Sequence, residues 1–115
     1  MIKLGNGNKM TINPERLKEY VEHIKADYAA WRPAKDEITR RMIDEFDSSI
    51  KVDVGSKFLR VIRGGSVHSF ICMNDMGKFV KGDILKAASW RAPAKNFPRG
   101  NVELGQWQGV RWTGA

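Results

Sequence analysis

Two runs rich in β-branched and aromatic residues, KFLRVIR at 57–63 and SVHSFICM at 66–73, are separated by Gly64 and Gly65 alone. No other feature of the chain constrains its fold as strongly. A two-residue connection between two strand-like runs specifies a β-hairpin, because glycine supplies the positive φ of a tight turn without a steric penalty. NDMG at 74–77 predicts a second turn. KFV (78–80) and DILKAAS (83–89) predict further strands, broken at Lys81-Gly82, and a last short strand is predicted over GVRWTG (109–114).

Upstream of the hairpin the period is helical. Asn13 followed by Pro14 is a start signal, since Asn caps and Pro is tolerated at the first helical position. Leu17, Tyr20, Val21, Ile24, Tyr28 and Trp31 then recur at spacings of three and four, which lays one apolar stripe along a helix. Pro33 disfavours a helical Arg32 and interrupts the run. A second helix is predicted from about Ala34, with Ile38, Met42, Ile43, Phe46 and Ile50 as its stripe, so that the pair forms a helical hairpin or a kinked rod. Tyr20, Tyr28 and Trp31 read as packing in the core or between subunits rather than as an aromatic binding box. The expected fold is therefore α+β: one domain of 115 residues, with an N-terminal helical pair over 13–50 followed by a small antiparallel β-sheet over 51–115.

Charge is distributed unevenly over these halves. Residues 1–50 carry nine Lys/Arg and nine Asp/Glu, whereas residues 51–115 carry eleven and four, so the whole net charge of +7 lies in the second half. That asymmetry points to an anionic partner docking there. No run approaches the ~20 apolar residues of a membrane span. The start, MIKLGNGNKM, has no apolar signal-peptide core, and its GNGNK (5–9) reads as a flexible terminus rather than a phosphate loop. Cys72 is the only cysteine, which excludes an intrachain disulfide and fits a cytoplasmic location.

Catalytic chemistry finds little support. His23 and His68 lie in no metal or nucleophile motif, and Asp53, Asp75, Asp83 and Glu103 form no pair placed for acid–base work. No catalytic residue, metal or cofactor is assigned. Binding chemistry is better supplied. Phe79, Trp90, Arg91, Lys95, Phe97, Arg99, Arg111 and Trp112 interleave cations with flat rings, the combination that phosphates and bases require. Asn96 and Asn101 add amides, and Gly100 allows close approach of a backbone to a ligand.

The tail KGDILKAASWRAPAKNFPRGNV, followed after a gap by VRWTGA and preceded by GGSVHSF, resembles a small-protein family common in tailed-phage genomes, the Thoeris anti-defence family of phage sponge proteins. The resemblance covers about residues 57–115; the helices have no residue-by-residue counterpart. It implies a non-enzymatic protein that binds cyclic ADP-ribose isomers made by bacterial TIR-domain proteins and withholds the signal from its effector. Some members also bind cyclic trinucleotides. It further implies helices before a β core, and dimers or dimer-based assemblies with pockets at subunit contacts, in the host bacterial cytoplasm. Within the matching tail, side-chain chemistry assigns Arg91, Lys95, Arg99 and Arg111 to phosphates, Phe79 and Trp90 to base stacking, and Asn96 and Asn101 to hydroxyls or base edges. Three other readings stay open at this point: a single-stranded nucleic-acid binder, a nucleotide-processing enzyme, and a protein that engages a host factor through the helical stripe.

Overall fold

Asn13 acts as its place before Pro14 predicts. In the computed structural model, which describes residues 2–4, 10–32 and 35–115, its side chain accepts hydrogen bonds from the backbone N–H groups of Glu15 (2.9 Å) and Arg16 (3.4 Å). After a first strand β1 (Ile2–Leu4), that cap opens helix α1 (Pro14–Trp31). The expected flexible terminus at 5–9 and the expected break at Pro33-Ala34 lie outside the described residues. Helix α2 (Glu37–Ser49) begins later than predicted, because Asp36 and Thr39 form a reciprocal capping box that fixes its first turn.

Five further strands follow: β2 (Ile50–Val54), β3 (Phe58–Arg63), β4 (Ser66–Cys72), β5 (Asp83–Lys86) and β6 (Gly100–Asn101). They form one six-stranded sheet in chain order, with β1 parallel to β2 and every other pair antiparallel. The α+β arrangement of a helical pair and an antiparallel sheet is thus present, and Gly64, at φ 61°, closes the β3–β4 hairpin. Some expectations are corrected. KFV is a turn held by a single bridge between Met76 and Phe79, not a strand. GVRWTG is likewise a turn, bridged at Arg111 and Gly114. Ile50 opens β2 instead of extending the α2 stripe.

Alternation along β2 and β3 gives the sheet two sides. Val52, Val54, Leu59 and Val61 face the helices in the main core, together with Leu17, Tyr20 and Ile24 of α1 and Phe46 of α2. Burying each such side chain contributes about 1.5–3 kcal/mol. Tyr28 stacks on Phe46 with ring centroids 4.0 Å apart, which joins the two helices near the end of α1. Ile38 lies two turns before Phe46, beyond this contact, and is 70% exposed rather than part of the buried stripe. On the other side of the sheet a smaller cluster forms from Phe70, Cys72, Phe79 and Leu85. Burial pushes the Cys72 thiol up to about 11, so it is a packing group rather than a nucleophile.

The C-terminal tail closes the helix side through both histidines. The β3–β4 register steps from Val61↔Ser69 to Ile62↔Val67, leaving His68 as the extra residue of a bulge. His68 Nε2–H donates to the carbonyl of Arg111 (2.7 Å), so its Nδ1 accepts from the Ser69 hydroxyl (2.9 Å). Ser69 Oγ in turn accepts from the Tyr20 hydroxyl at 2.7 Å. His23 Nε2–H donates to the carbonyl of Val110 (2.8 Å), and Asp27 Oδ2 accepts from the N–H of Trp112 (2.8 Å). No helix among the described residues is long and apolar enough to cross a membrane.

Burial, with added repulsion from Arg63 and His23, lowers the His68 pKa from 6.5 to about 4. Below pH 6.5 the unfolded chain takes up a proton that the folded chain refuses, so stability falls from pH 6.5 and the loss is complete near pH 4. Its full size is roughly 3 kcal/mol. Urea unfolding of the wild type across this window is expected to show that loss, and His68→Gln is expected to flatten it. A wild-type profile that does not change between pH 6.5 and 4 would refute a buried neutral His68.

Candidate functional site

The segment after β5 makes a wide hairpin with two projections. Ala88 and Ser89 N–H groups both bond the carbonyl of Ala92 (3.1 and 3.0 Å), which folds 88–92 into a tight tip carrying Trp90 and Arg91. The chain then returns along β5: Ala94 N–H bonds the Lys86 carbonyl at 2.8 Å and Arg99 N–H bonds the Ile84 carbonyl at 2.7 Å. Between these anchors, residues 95–98 leave the ladder. Pro98 ends this excursion and has no N–H to give to a ladder, whereas Pro93 is bridged to Ala87 before it begins.

Both projections lie on the sheet side away from the helices. The tip reaches β3, where Arg60 is ion-paired with Asp53 and its Nη1 donates to the carbonyl of Trp90 at 3.2 Å. The Arg60 guanidinium also lies 5.2 Å from the Trp90 ring centroid. The excursion is tied by Lys78, whose Nζ donates to the carbonyl of Asn96 (2.7 Å), while Asn96 Oδ1 accepts from Phe97 N–H (2.8 Å). The Arg99 guanidinium lies 4.2 Å from the Phe97 ring centroid. Trp90 and Phe97 are 46% and 54% exposed. The side chains of Arg91 and Lys95 are exposed and make no hydrogen bond or ion pair among the described residues. Arg99 Nε is buried and finds no acceptor there.

Of the eight residues assigned to a ligand from sequence, five belong to these two projections: Trp90 and Arg91 to the tip, and Lys95, Asn96 and Arg99 to the excursion and its return. Three do not, and each for a physical reason. Phe79 is buried at 4% exposure in the small core beneath the surface, so no base can stack on it. Asn101 is also 4% exposed and its amide is fully used: Nδ2 donates to the Lys81 carbonyl and to Asp83 Oδ1, and Oδ1 accepts from Leu104 N–H. Arg111 sits on the helix side, paired with Asp27 of α1 at 3.7 Å. Gly100 serves this chain rather than a ligand, since a Cβ there would meet the Gln106 carbonyl oxygen at 2.1 Å.

Sequence reasoning missed Arg60, Lys78 and the pairing of Phe97 with Arg99. Arg60 was accessible through the hairpin register, because alternation puts it with Phe58 and Ile62 on the face opposite Leu59 and Val61. Lys78 carried no signal; only the tertiary fold brings it to Asn96.

A cleft of about 290 Å³ beside Trp90, lined by Gly65, Ser66, Val67 and residues 87–90, is open to solvent. A larger cleft of about 620 Å³ lies between α1 and β2, where Lys18, Lys25 and Lys51 are balanced by Glu15, Glu22 and Asp47. That balance gives no preference for an anion, in contrast to the loop surface. No group of three or more His, Cys, Asp or Glu among the described residues is arranged to hold a metal ion. No family model matches the chain, and no curated protein or solved structure is significantly similar to it.

Gly100 and Asn101 shape the site from beneath without touching solvent-borne ligand. Asn101→Ala removes the three hydrogen bonds of a buried amide and is expected to cost about 1–3 kcal/mol. Gly100→Ala, at φ 157° and against a backbone oxygen, is expected to cost at least ~2 kcal/mol. Urea denaturation curves check both, and wild-type midpoints in either variant would remove this structural role.

Proposed function

We propose that the protein binds and sequesters a small dianionic cyclic nucleotide, a cyclic ADP-ribose isomer, without degrading it, and thereby acts as a phage anti-defence sponge in the bacterial cytoplasm. Arg99 carries this reading. It combines a buried Nε–H lacking an acceptor with a guanidinium laid against the exposed ring of Phe97. A phosphate oxygen supplies the acceptor, and a base has Phe97 and Trp90 on which to stack. Arg91 and Lys95 add charge that is not spent inside the protein. Charge-assisted hydrogen bonds contribute about 1.5–3 kcal/mol each and base–aromatic stacking about 1–3 kcal/mol. Several together reach the roughly −12 kcal/mol of nanomolar binding only where water is excluded. The surface of one copy is open, so the proposed site is completed by a second copy closing over the loop.

Both histidines are committed to tail carbonyls and the Cys72 thiol is buried and protonated. These facts support retention rather than turnover. Ligand released by heating from the protein after incubation is expected to be chemically intact; an altered product would establish catalysis instead. Isothermal titration with cyclic ADP-ribose isomers is expected to give tight binding that Arg99→Ala weakens at least tenfold while the protein stays folded by circular dichroism. Unchanged affinity in folded Arg99→Ala would defeat the assignment.

Trp90 on the tip and Phe97 on the excursion are both exposed rings, which also suits a second reading, a groove for single-stranded nucleic acid. Salt separates the two. Affinity for an oligonucleotide that neutralises several phosphates falls steeply between 50 and 200 mM salt, whereas an enclosed two-phosphate ligand responds weakly.

A further inference from the structure

The opposite side of the sheet holds a feature that the loop does not explain. Helices, sheet and tail meet there at a cleft of about 380 Å³, lined by Tyr28, Trp31, Met42, Phe46, Arg63 and Trp112. Its floor is built. Trp112 stands edge-on to Tyr28 (5.0 Å, 83°) and to Phe46 (5.7 Å, 87°), over rings that stack on each other at 7°. Asp27 fixes the tail by accepting the Trp112 N–H. The volume falls in the range of small-molecule sites.

Two deficits mark the cleft. Trp31, 4.9 Å from Trp112, is left 58% exposed, although an indole is among the most favourable side chains to cover. Arg63, whose guanidinium lies 5.3 Å from the Trp112 ring, has a buried Nε–H with no acceptor among the described residues. Arg32 repeats the pattern beside Trp31, at 5.7 Å and again with a buried, unaccepted Nε–H. A buried donor without a partner carries its full desolvation cost. What the cleft lacks is therefore a flat ring for Trp31 and an acidic oxygen for the guanidinium N–H groups. Among the described lining residues the charged groups are Arg63 and Glu45, so the unaccepted Arg63 Nε–H, and not a net charge, is what calls for an acidic oxygen.

We propose that this cleft is a second ligand site, selective for a small planar aromatic anion whose ring lies on Trp31 and whose carboxylate or phosphate oxygen accepts from Arg63 Nε–H. The site is separate from the loop surface and does not depend on that reading.

The test uses the full chain and four probes, followed by isothermal titration and tryptophan fluorescence. Adenosine 5′-monophosphate and indole-3-acetate carry both ring and acid, and so distinguish a phosphate from a carboxylate source. Adenosine carries the ring alone and inorganic phosphate the acid alone. At least one ring-bearing anion is expected to saturate in the submillimolar range, with adenosine and phosphate each at least tenfold weaker. Trp31→Ala and Arg63→Gln are each expected to lose tenfold or more, and Trp31→Phe to recover most of the loss. Trp31 is exposed enough that its alanine variant keeps the fold, so it decides the matter if Arg63→Gln unfolds. The proposal is overturned by any of three results. Neither ring-bearing anion saturates, as when a second copy covers Trp31 in solution; affinity persists in folded Trp31→Ala; or Arg99→Ala loses as much as Trp31→Ala, which assigns the binding to the loop.

Discussion

The run of hydrogen bonds from Tyr20 through Ser69 and His68 to the Arg111 carbonyl holds the helix side of the sheet together. Each member has one role open to it. The carbonyl only accepts, so His68 Nε2 donates; its Nδ1 then accepts, and the Ser69 proton is spent there; Tyr20 must donate to Ser69. Burial keeps Tyr20 far above its ordinary pKa and His68 neutral, so both titrations that reverse a link are suppressed near neutrality. The bulge at His68 is part of the same device, since it turns an extra side chain out of strand alternation toward the tail. With Val110 and Arg111 held, Trp107 packs against Tyr20 and His23, and Trp112 reaches Tyr28 and Phe46. A tail with no ladder of its own is thereby made a wall of the core.

That device was invisible in the sequence, and the reason is physical. Periodicity reports which face of an element is apolar. It says nothing about a polar pair such as His68 and Ser69 whose partners lie 43 and 49 residues away. The helices and the β3–β4 hairpin were legible because caps, stripes and the Gly64-Gly65 turn are local. The strands β1 and β2 were not. Three residues make no pattern, and IKVDV follows directly on a helical stripe whose last member, Ile50, also satisfies strand alternation. GVRWTG has strand-like composition yet forms a turn: Arg111 and Gly114 bridge each other, and the Val110 and Arg111 carbonyls also accept from His23 and His68.

The candidate surface was legible in composition and partly misplaced in detail. Trp90 and Arg91 project on a tight tip, Lys95 and Asn96 project on the excursion that ends at Pro98, and Arg99 returns to the ladder through its N–H to Ile84. Asn101 has the same chemistry on paper, but it sits where the chain re-enters the sheet, and re-entry needs a side chain that satisfies Lys81, Asp83 and Leu104 at once. Phe79 differs from Phe97 in the same way. One ring lies under the turn and is consumed by packing, while the other stands outside the anchors, half exposed, with Arg99 laid against it.

Charge then bears on how such a surface retains a ligand under the proposed function. The second half of the chain holds eleven Lys/Arg against four Asp/Glu, and Arg60 has already consumed Asp53. Two copies brought loop to loop place like charges opposite one another, at a separation where salt screens only part of the repulsion. A dianionic guest between them reverses the sign of that term and supplies acceptors for donors such as Arg99 Nε–H. Ligand binding and closure are then coupled, and by linkage each strengthens the other to the same degree. On the proposed function an empty protein would stay open and admit ligand quickly, whereas a loaded one would lose its ligand only when the closed assembly parted. Slow release would then come from the charge of the surface and not from the depth of any pocket in a single chain.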